Sequence, residues 1–387
     1  MTGRRALIIV TLAVVTVTVA RSGHELPIYP SYYPHEIELS AVTPERAAEL
    51  LLTGKIQAYV GNAPRFAGAP PATIGSIESL GSFVIVRVNP SSPSISDGRS
   101  ACAVAEAVVR GLAGKHDALF LHPYPVTPFH GDYLHHVDLA EAAKERFVGV
   151  RSDSAGSDLQ GLKVTASSAF TRSLVKPEWL TQGSQSDAEV TEVDAAKLVA
   201  SAGYAMNGWL GPAWIRAGWH HAALLLNGQT GGDQAQGRLV ETNLKRLQTF
   251  AYDNPVERIN LERSLVTALA SGCRTRVAGY TVKREYFSTV FTAGIENIAY
   301  DAFAGFNSPM FVRTVKLKDF PWNGWLALGI DARPAAAWNP IAGFTDDFGR
   351  LMWSAVSDPA LIPSPNDFSW MLNRMSEVQS TARPPAR

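Results

Sequence analysis

Apolar residues recur along this chain first as a block and then at two alternating periods. The block is Ala6 to Ala20 (ALIIVTLAVVTVTVA), uncharged and preceded by Arg4-Arg5. A run of this size has the length of a secretory apolar region, whereas a membrane-spanning helix takes about 20 residues. Small residues follow it, so residues 1–22 read as a cleaved export signal, with an uncleaved N-terminal anchor as the alternative.

Beyond the block, short β-branched runs alternate with helical patterns. Glu36 to Leu39 reads as a strand. Thr43-Pro44 opens a helix to Leu52, with Thr43 as the cap and Pro44 at the first position. Ile56–Val60, Ser82–Val88 and Ala118–Leu121 read as strands, and Ala101–Leu112 as a helix. The D-x-x-E pattern at Asp138 predicts a capped helix to Phe147. This alternation predicts an α/β domain over residues 23–147 with a largely parallel sheet.

A second α/β domain is expected over residues 148–378. It holds a strand ending at Thr165, a polar loop over 176–190 and an Asp194-capped helix running to Met206. A Gly211-Pro212 turn then precedes a buried helix, Ala213–Leu226. Helical patterns return at 238–250 and 256–270, while aromatics, Gly and Pro from Tyr280 to Trp370 predict extended segments and anchored loops. Residues 379–387 read as a disordered tail.

Charge narrows the functional classes. The 387 residues carry 35 basic and 35 acidic side chains. Removing Arg4, Arg5 and Arg21 with the signal leaves 32 against 35, a net charge of −3. A nearly neutral surface without a basic run gives no reason to expect nucleic acid, and a monomer is the expected state. Cys102 and Cys273 are the chain's two cysteines. In an oxidising compartment they form a disulfide or stay as separate buried thiols. No GxSxG, P-loop, HExxH or GxGxxG occurs, so no enzyme is expected.

The chemistry concentrates in HPYPVTPFHGDYLHHVD, residues 122–138. This stretch leaves the Ala118–Leu121 strand by a long loop and holds four of the nine histidines. Long loops at the carboxyl edge of a parallel sheet are where α/β proteins bind ligands. Three readings stand open: a copper or zinc site built from His122, His130, Asp132, His135 and His136, the lining of a ligand cleft, or a structural loop. Tyr32, Tyr33, His122, Tyr124, His130, Trp209, Trp214 and Arg216 are the candidate cleft residues. Arg216, inside an apolar helix, needs a buried partner or an anionic ligand.

Three phrases resemble the extracytoplasmic solute-binding proteins of ABC transporters, the phosphonate-type branch in particular. They are ERAAELLLTGKIQAYVG, SDLQGLKVTASS and AEVTEVDAAKLVAS. The resemblance implies a two-lobed α/β fold, with largely parallel sheets flanked by helices and a periplasmic location. It implies a small-molecule solute in an interlobe cleft and an inner-membrane permease as partner. The alternative is a periplasmic metal-binding accessory protein of a redox or cytochrome system using the His122–His136 loop.

Overall fold

The computed structural model describes residues 33–92, 95, 100–112, 118–148, 161–183, 185–201, 212–226, 234–319, 324–335, 344, 346–357, 360–364, 369–373 and 376–377. The stretches read above as an export signal and as a disordered tail lie outside these residues. Among the described residues no helix is long and apolar enough to cross a membrane.

Along the chain, β1 (Glu36–Ala41), α1 (Pro44–Leu52) and β2 (Ala58–Val60) come first. Thr43 caps α1 by accepting the Arg46 N–H, with Pro44 at the first position, as the pattern predicts. β3 (Ile74–Val88) begins eight residues before the apolar run at Ser82, because Gly75, Ser76, Glu78 and Ser79 break its apolar reading. Then follow α2 (Ala101–Leu112), β4 (Phe120–Leu121) and α3 (Val137–Val148). After them come β5 (Val164–Ala166), α4 (Ala169–Leu174), β6 (Ala188–Asp194), α5 (Ala195–Ser201) and α6 (Gly218–Leu225). Two longer helices, α7 (Gln234–Gln248) and α8 (Pro255–Ser271), lead into β7 (Thr275–Ser288). The last stretch holds β8 (Ile295–Glu296), α9 (Pro309–Thr314), β9 (Lys316–Leu317), β10 (Trp325–Ile330), α10 (Asp347–Val356), β11 (Leu361–Pro363) and β12 (Trp370–Leu372).

The α/β class holds. One sheet has the order β1-β10-β2-β7-β3-β6-β5, with β4 on β7. Its ends are parallel, at β1–β10–β2 and at β5–β6. Its centre corrects the expectation of a largely parallel sheet: β7 runs antiparallel to β2, β3 and β4, and β3 antiparallel to β6. The cause is β7, a strand from the aromatic last third that inserts beside β3 from Ile74↔Ser288 to Arg87↔Thr275. Strands from both sides of residue 148 thus share the sheet.

β3 is covered on both faces, which explains its unbroken apolar run. Phe83 and Ile85 pack into a core with Trp214, Trp219, Leu265 and Val266. Val84, Val86 and Val88 face the opposite core with Val104, Val108 and Leu174. A disulfide joins Cys102 on α2 to Cys273, between α8 and β7, with Cα atoms 4.8 Å apart.

Asp138 is not the cap that its sequence pattern predicts. α3 begins one residue earlier, at Val137, and the His136 carbonyl accepts the Ala140 N–H. The Asp138 carboxylate instead accepts both arms of the Arg263 guanidinium, each at 2.7 Å.

Candidate functional site

The 122–138 loop folds inward. His122, Tyr124, His130, Asp132 and His136 are all buried; Asp132 and His130 meet α6, and Asp132 and His136 converge on Glu262 of α8. His135 is half-buried. The fold brings these six together, and adds His220 and His221 from α6 and Glu262 from α8.

Asp132 is held by backbone. Its two oxygens accept the N–H groups of Gly218 at 2.8 Å and Trp219 at 3.1 Å, the open donors of the α6 N-terminus. There is no room for a side chain at Gly218, where a Cβ would stand 2.4 Å from Val126 Cγ1. Burial raises the Asp132 carboxyl above its ordinary range, and those backbone bonds oppose the rise.

A chain of imidazoles lies beside it. The Thr127 N–H donates to His130 Nδ1 at 2.9 Å, which makes that nitrogen an acceptor. The proton of neutral His130 then sits on Nε2 and is donated to His221 Nδ1 at 2.9 Å. Burial lowers His130 to about 3 and drives His221 well below its usual value. His220, packed edge-to-face against Trp214 and Trp219, is lowered to about 4 by burial alone and has no hydrogen bond at either nitrogen. His122 is more local, with its Nε2–H donated to the Val126 carbonyl at 2.8 Å.

Asp132, His136 and Glu262 form a different kind of cluster. Ligand atoms of Asp132, His136 and Glu262 lie within 4.8 Å of one another, and all three residues are buried. His136 Nδ1 meets the Tyr124 hydroxyl at 2.8 Å, while its Nε2 has no hydrogen bond. Both Glu262 oxygens are buried without a hydrogen bond. Their ion-pair contacts are longer, to His135 Nδ1 at 3.4 Å and Arg258 Nε at 3.7 Å. Burial, and then the nearby Asp132 charge, push Glu262 up to about 8.

Two buried carboxyl groups whose charges oppose each other, beside a bare imidazole nitrogen, are the complement of a divalent cation. The charges cancel, two negative against two positive. Zinc bonds to nitrogen and oxygen are about 2.0–2.2 Å, so neighbouring ligands on a tetrahedral ion stand about 3.4 Å apart. From separations of up to 4.8 Å, the cluster reaches that span with side-chain shifts of about an ångström. The Tyr124 hydroxyl can accept from Nδ1–H, which leaves the Nε2 lone pair free for a metal.

Glu262 carries no motif, but a signal exists. Leu261, Leu265, Val266 and Leu269 mark the inner face of α8, and Glu262 shares that face through its i+4 and i+7 neighbours. A carboxylate on a buried stripe asks for a partner.

The cleft candidates separate. His122, Tyr124, His130 and Trp214 share one core. Trp214 is anchored by its indole N–H on the Gln248 carbonyl at 3.1 Å. Tyr33 stands apart, exposed, with Lys316 Nζ 5.2 Å from its ring. Tyr32 and Trp209 lie outside the described residues. Arg216 has a buried partner, the Asp301 carboxylate, and also donates to the Ser364 carbonyl at 3.0 Å.

No protein-family model matches the sequence, and no curated protein matches it. Among solved structures, the chain is similar to NikZ from Campylobacter jejuni in complex with Ni(L-His). That match has 13% identity and a TM-score of 0.34, over 66% of this chain and 56% of that one. It is similar to a putative peptide binding protein AppA from Clostridium difficile, at 10% identity and a TM-score of 0.41, over 70% and 58%. It is similar to the periplasmic binding protein DppA from Helicobacter pylori in complex with a peptide, at 11% and 0.38, over 72% and 56%. The chain spans little more than half the length of each, and none of the three is a phosphonate-binding protein.

Proposed function

We propose that this is an exported binding protein whose solute is a divalent transition-metal ion, held by Asp132, His136 and Glu262. The observation that carries the reading is the convergence of these donors with Glu262 and His136 Nε2 bare of hydrogen bonds. A buried carboxyl group without a hydrogen bond costs about 2 kcal/mol or more even when protonated, and its presence beside these donors supports a ligand. One imidazole and two carboxylates form a borderline-to-hard donor set suited to zinc, and the absence of sulfur disfavours monovalent copper. The Cys102–Cys273 bond supports work in an oxidising, extracytoplasmic compartment. The partner in this reading is a membrane permease, as the sequence resemblance implies.

The test is metal content. Purified protein is loaded with zinc, copper(II) or manganese(II), dialysed and analysed by mass spectrometry. The expected result is one zinc ion per chain, lost in Glu262→Gln and in His136→Ala. Wild-type protein that retains no metal overturns the reading.

A further inference from the structure

The three proposed ligands are fully buried, so an ion reaches them only if part of the wall moves. The wall is thick on most sides, where α6, Trp219 and Leu265 belong to the main core. Among the described residues, the wall reaches the surface at the 3-10 turn Tyr133–His135. Leu134 at the crest of that turn is 81% exposed. The turn is held from within by two i→i+3 bonds, His135 N–H to Asp132 O at 3.0 Å and His136 N–H to Tyr133 O at 2.8 Å. Such turns have poor hydrogen-bond geometry and open at low cost.

Two residues connect this turn to the ion site. His135 is 29% exposed at its side chain, and its Nδ1 lies 3.4 Å from Glu262 Oε2 without a hydrogen bond of its own. That spacing is close to the separation of two neighbouring ligands on a tetrahedral zinc ion. Arg263, next to Glu262 on α8, donates to the His135 carbonyl and grips Asp138 at the start of α3 with both arms. It thus ties the turn to α3 and α8 together. Its side chain also borders an open groove of about 620 Å³ lined by Leu139, Gln236, Leu239 and Thr267, which gives it space to swing away.

We infer that the Tyr133–His136 turn is the gate of the ion site, with His135 as the transfer ligand that first meets the ion and Arg263 as the latch. This rests on the metal-binding reading above. The ion is taken up between His135 and Glu262 when the turn lifts. It then passes to Asp132 and His136, and the Arg263 fork closes the turn over it. The latch is an ion pair near the surface, so salt weakens it and speeds exchange.

The test separates rates from affinity. Wild-type protein is titrated with zinc for its equilibrium constant. Zinc-loaded protein is then mixed rapidly with excess chelator, and the metal-free protein with zinc and an indicator. Arg263→Ala and Asp138→Asn are expected to speed loading and release together by about tenfold, with the equilibrium constant moved less than threefold. His135→Ala is expected to slow loading by about tenfold at unchanged stoichiometry. Asp138→Asn cuts the latch from α3 without touching α8, so it serves if Arg263→Ala misfolds. Wild-type exchange rates in all three variants overturn the gate while leaving metal binding intact. An Arg263→Ala release rate that rises only in proportion to lost affinity also overturns it. Wild-type protein that binds no zinc overturns the gate and the metal reading together.

Discussion

The carboxylate of Asp132 accepts the backbone N–H of Gly218 at 2.8 Å, so the acidic group of the histidine loop also terminates α6. Structure and candidate chemistry therefore meet in one side chain, and its variants should separate them. Asp132→Ala orphans two buried N–H groups and should cost about 3 kcal/mol. Asp132→Asn keeps an acceptor and should cost less, while still weakening zinc binding through the lost charge. Urea unfolding beside a zinc titration checks this; equal loss of stability in both variants would sink it.

Gly218→Ala tests how closely the loop sits on the helix. The added methyl would meet Val126 Cγ1 at 2.4 Å and Asp132 Oδ1 at 3.0 Å. Both neighbours are fully buried and have nowhere to go. Overpacking of this kind costs about 1–3 kcal/mol. The expected outcome is a lower unfolding midpoint and, at the proposed ion site, weaker zinc affinity, read by urea melts and zinc titration. A variant as stable as wild type contradicts the packing described.

Arg216 and Asp301 form a buried pair, 12% and 8% exposed, that fastens the segment before α6 to the turn at 301–305. Removing one member of such a pair costs about 3–5 kcal/mol, because the other charge stays buried. Asp301→Ala should unfold at markedly lower urea concentration than wild type. Arg216→Met with Asp301→Leu should recover much of the loss if the pair serves structure alone. No recovery would place the loss in the Phe303 and Ala304 N–H groups, which also donate to the Asp301 carboxylate.

The buried histidines set an acid limit. Burial holds His130 at about 3 and His220 at about 4, against an ordinary 6.5. His136 is lowered to about 4, again by burial first and then by Arg263. Between about pH 6.5 and 4 the unfolded chain binds more protons than the folded one, so stability falls as pH falls through that window. Glu262 acts in the other direction. Its carboxyl is raised from 4.5 to about 8, so the metal-free protein loses stability as pH rises toward 8. The expected profile peaks near neutrality, and zinc should flatten its alkaline side. Urea midpoints measured from pH 4 to 8 check this, and a midpoint unchanged on acidification counts against it.

The Cys102–Cys273 bond closes a loop of 171 residues. The chain-entropy argument assigns such a loop about 5 kcal/mol of stabilisation. Cys102→Ser with Cys273→Ser should therefore unfold at much lower denaturant while keeping its secondary structure. Circular dichroism during urea unfolding reads both quantities.

Local pattern was informative wherever neighbours in sequence decide the outcome. Thr43-Pro44 began a helix, and Asp194 offered its carboxylate to the Lys197 N–H at 2.8 Å, because capping is a contact over three residues. The central strand was legible from Ser82 to Val88, where both faces are apolar. The same local logic failed at Asp138, because Arg263 competes for its carboxylate from 125 residues away. It failed for β7, whose place beside β3 is set by pairing across the sheet.

By itself the sequence determined the α/β class, the capped start of α1 and the concentration of histidines after β4. Only the tertiary structure decided their company. Arg216 found Asp301 at a separation of 85 residues, and His130 found His221 at 91. The cysteines met at 171, and Glu262 entered the loop's chemistry from a helix without a motif. The reason is physical. Sheet order and helix packing bring these groups within a few ångströms, and neither is encoded in the spacing of residues along any one element.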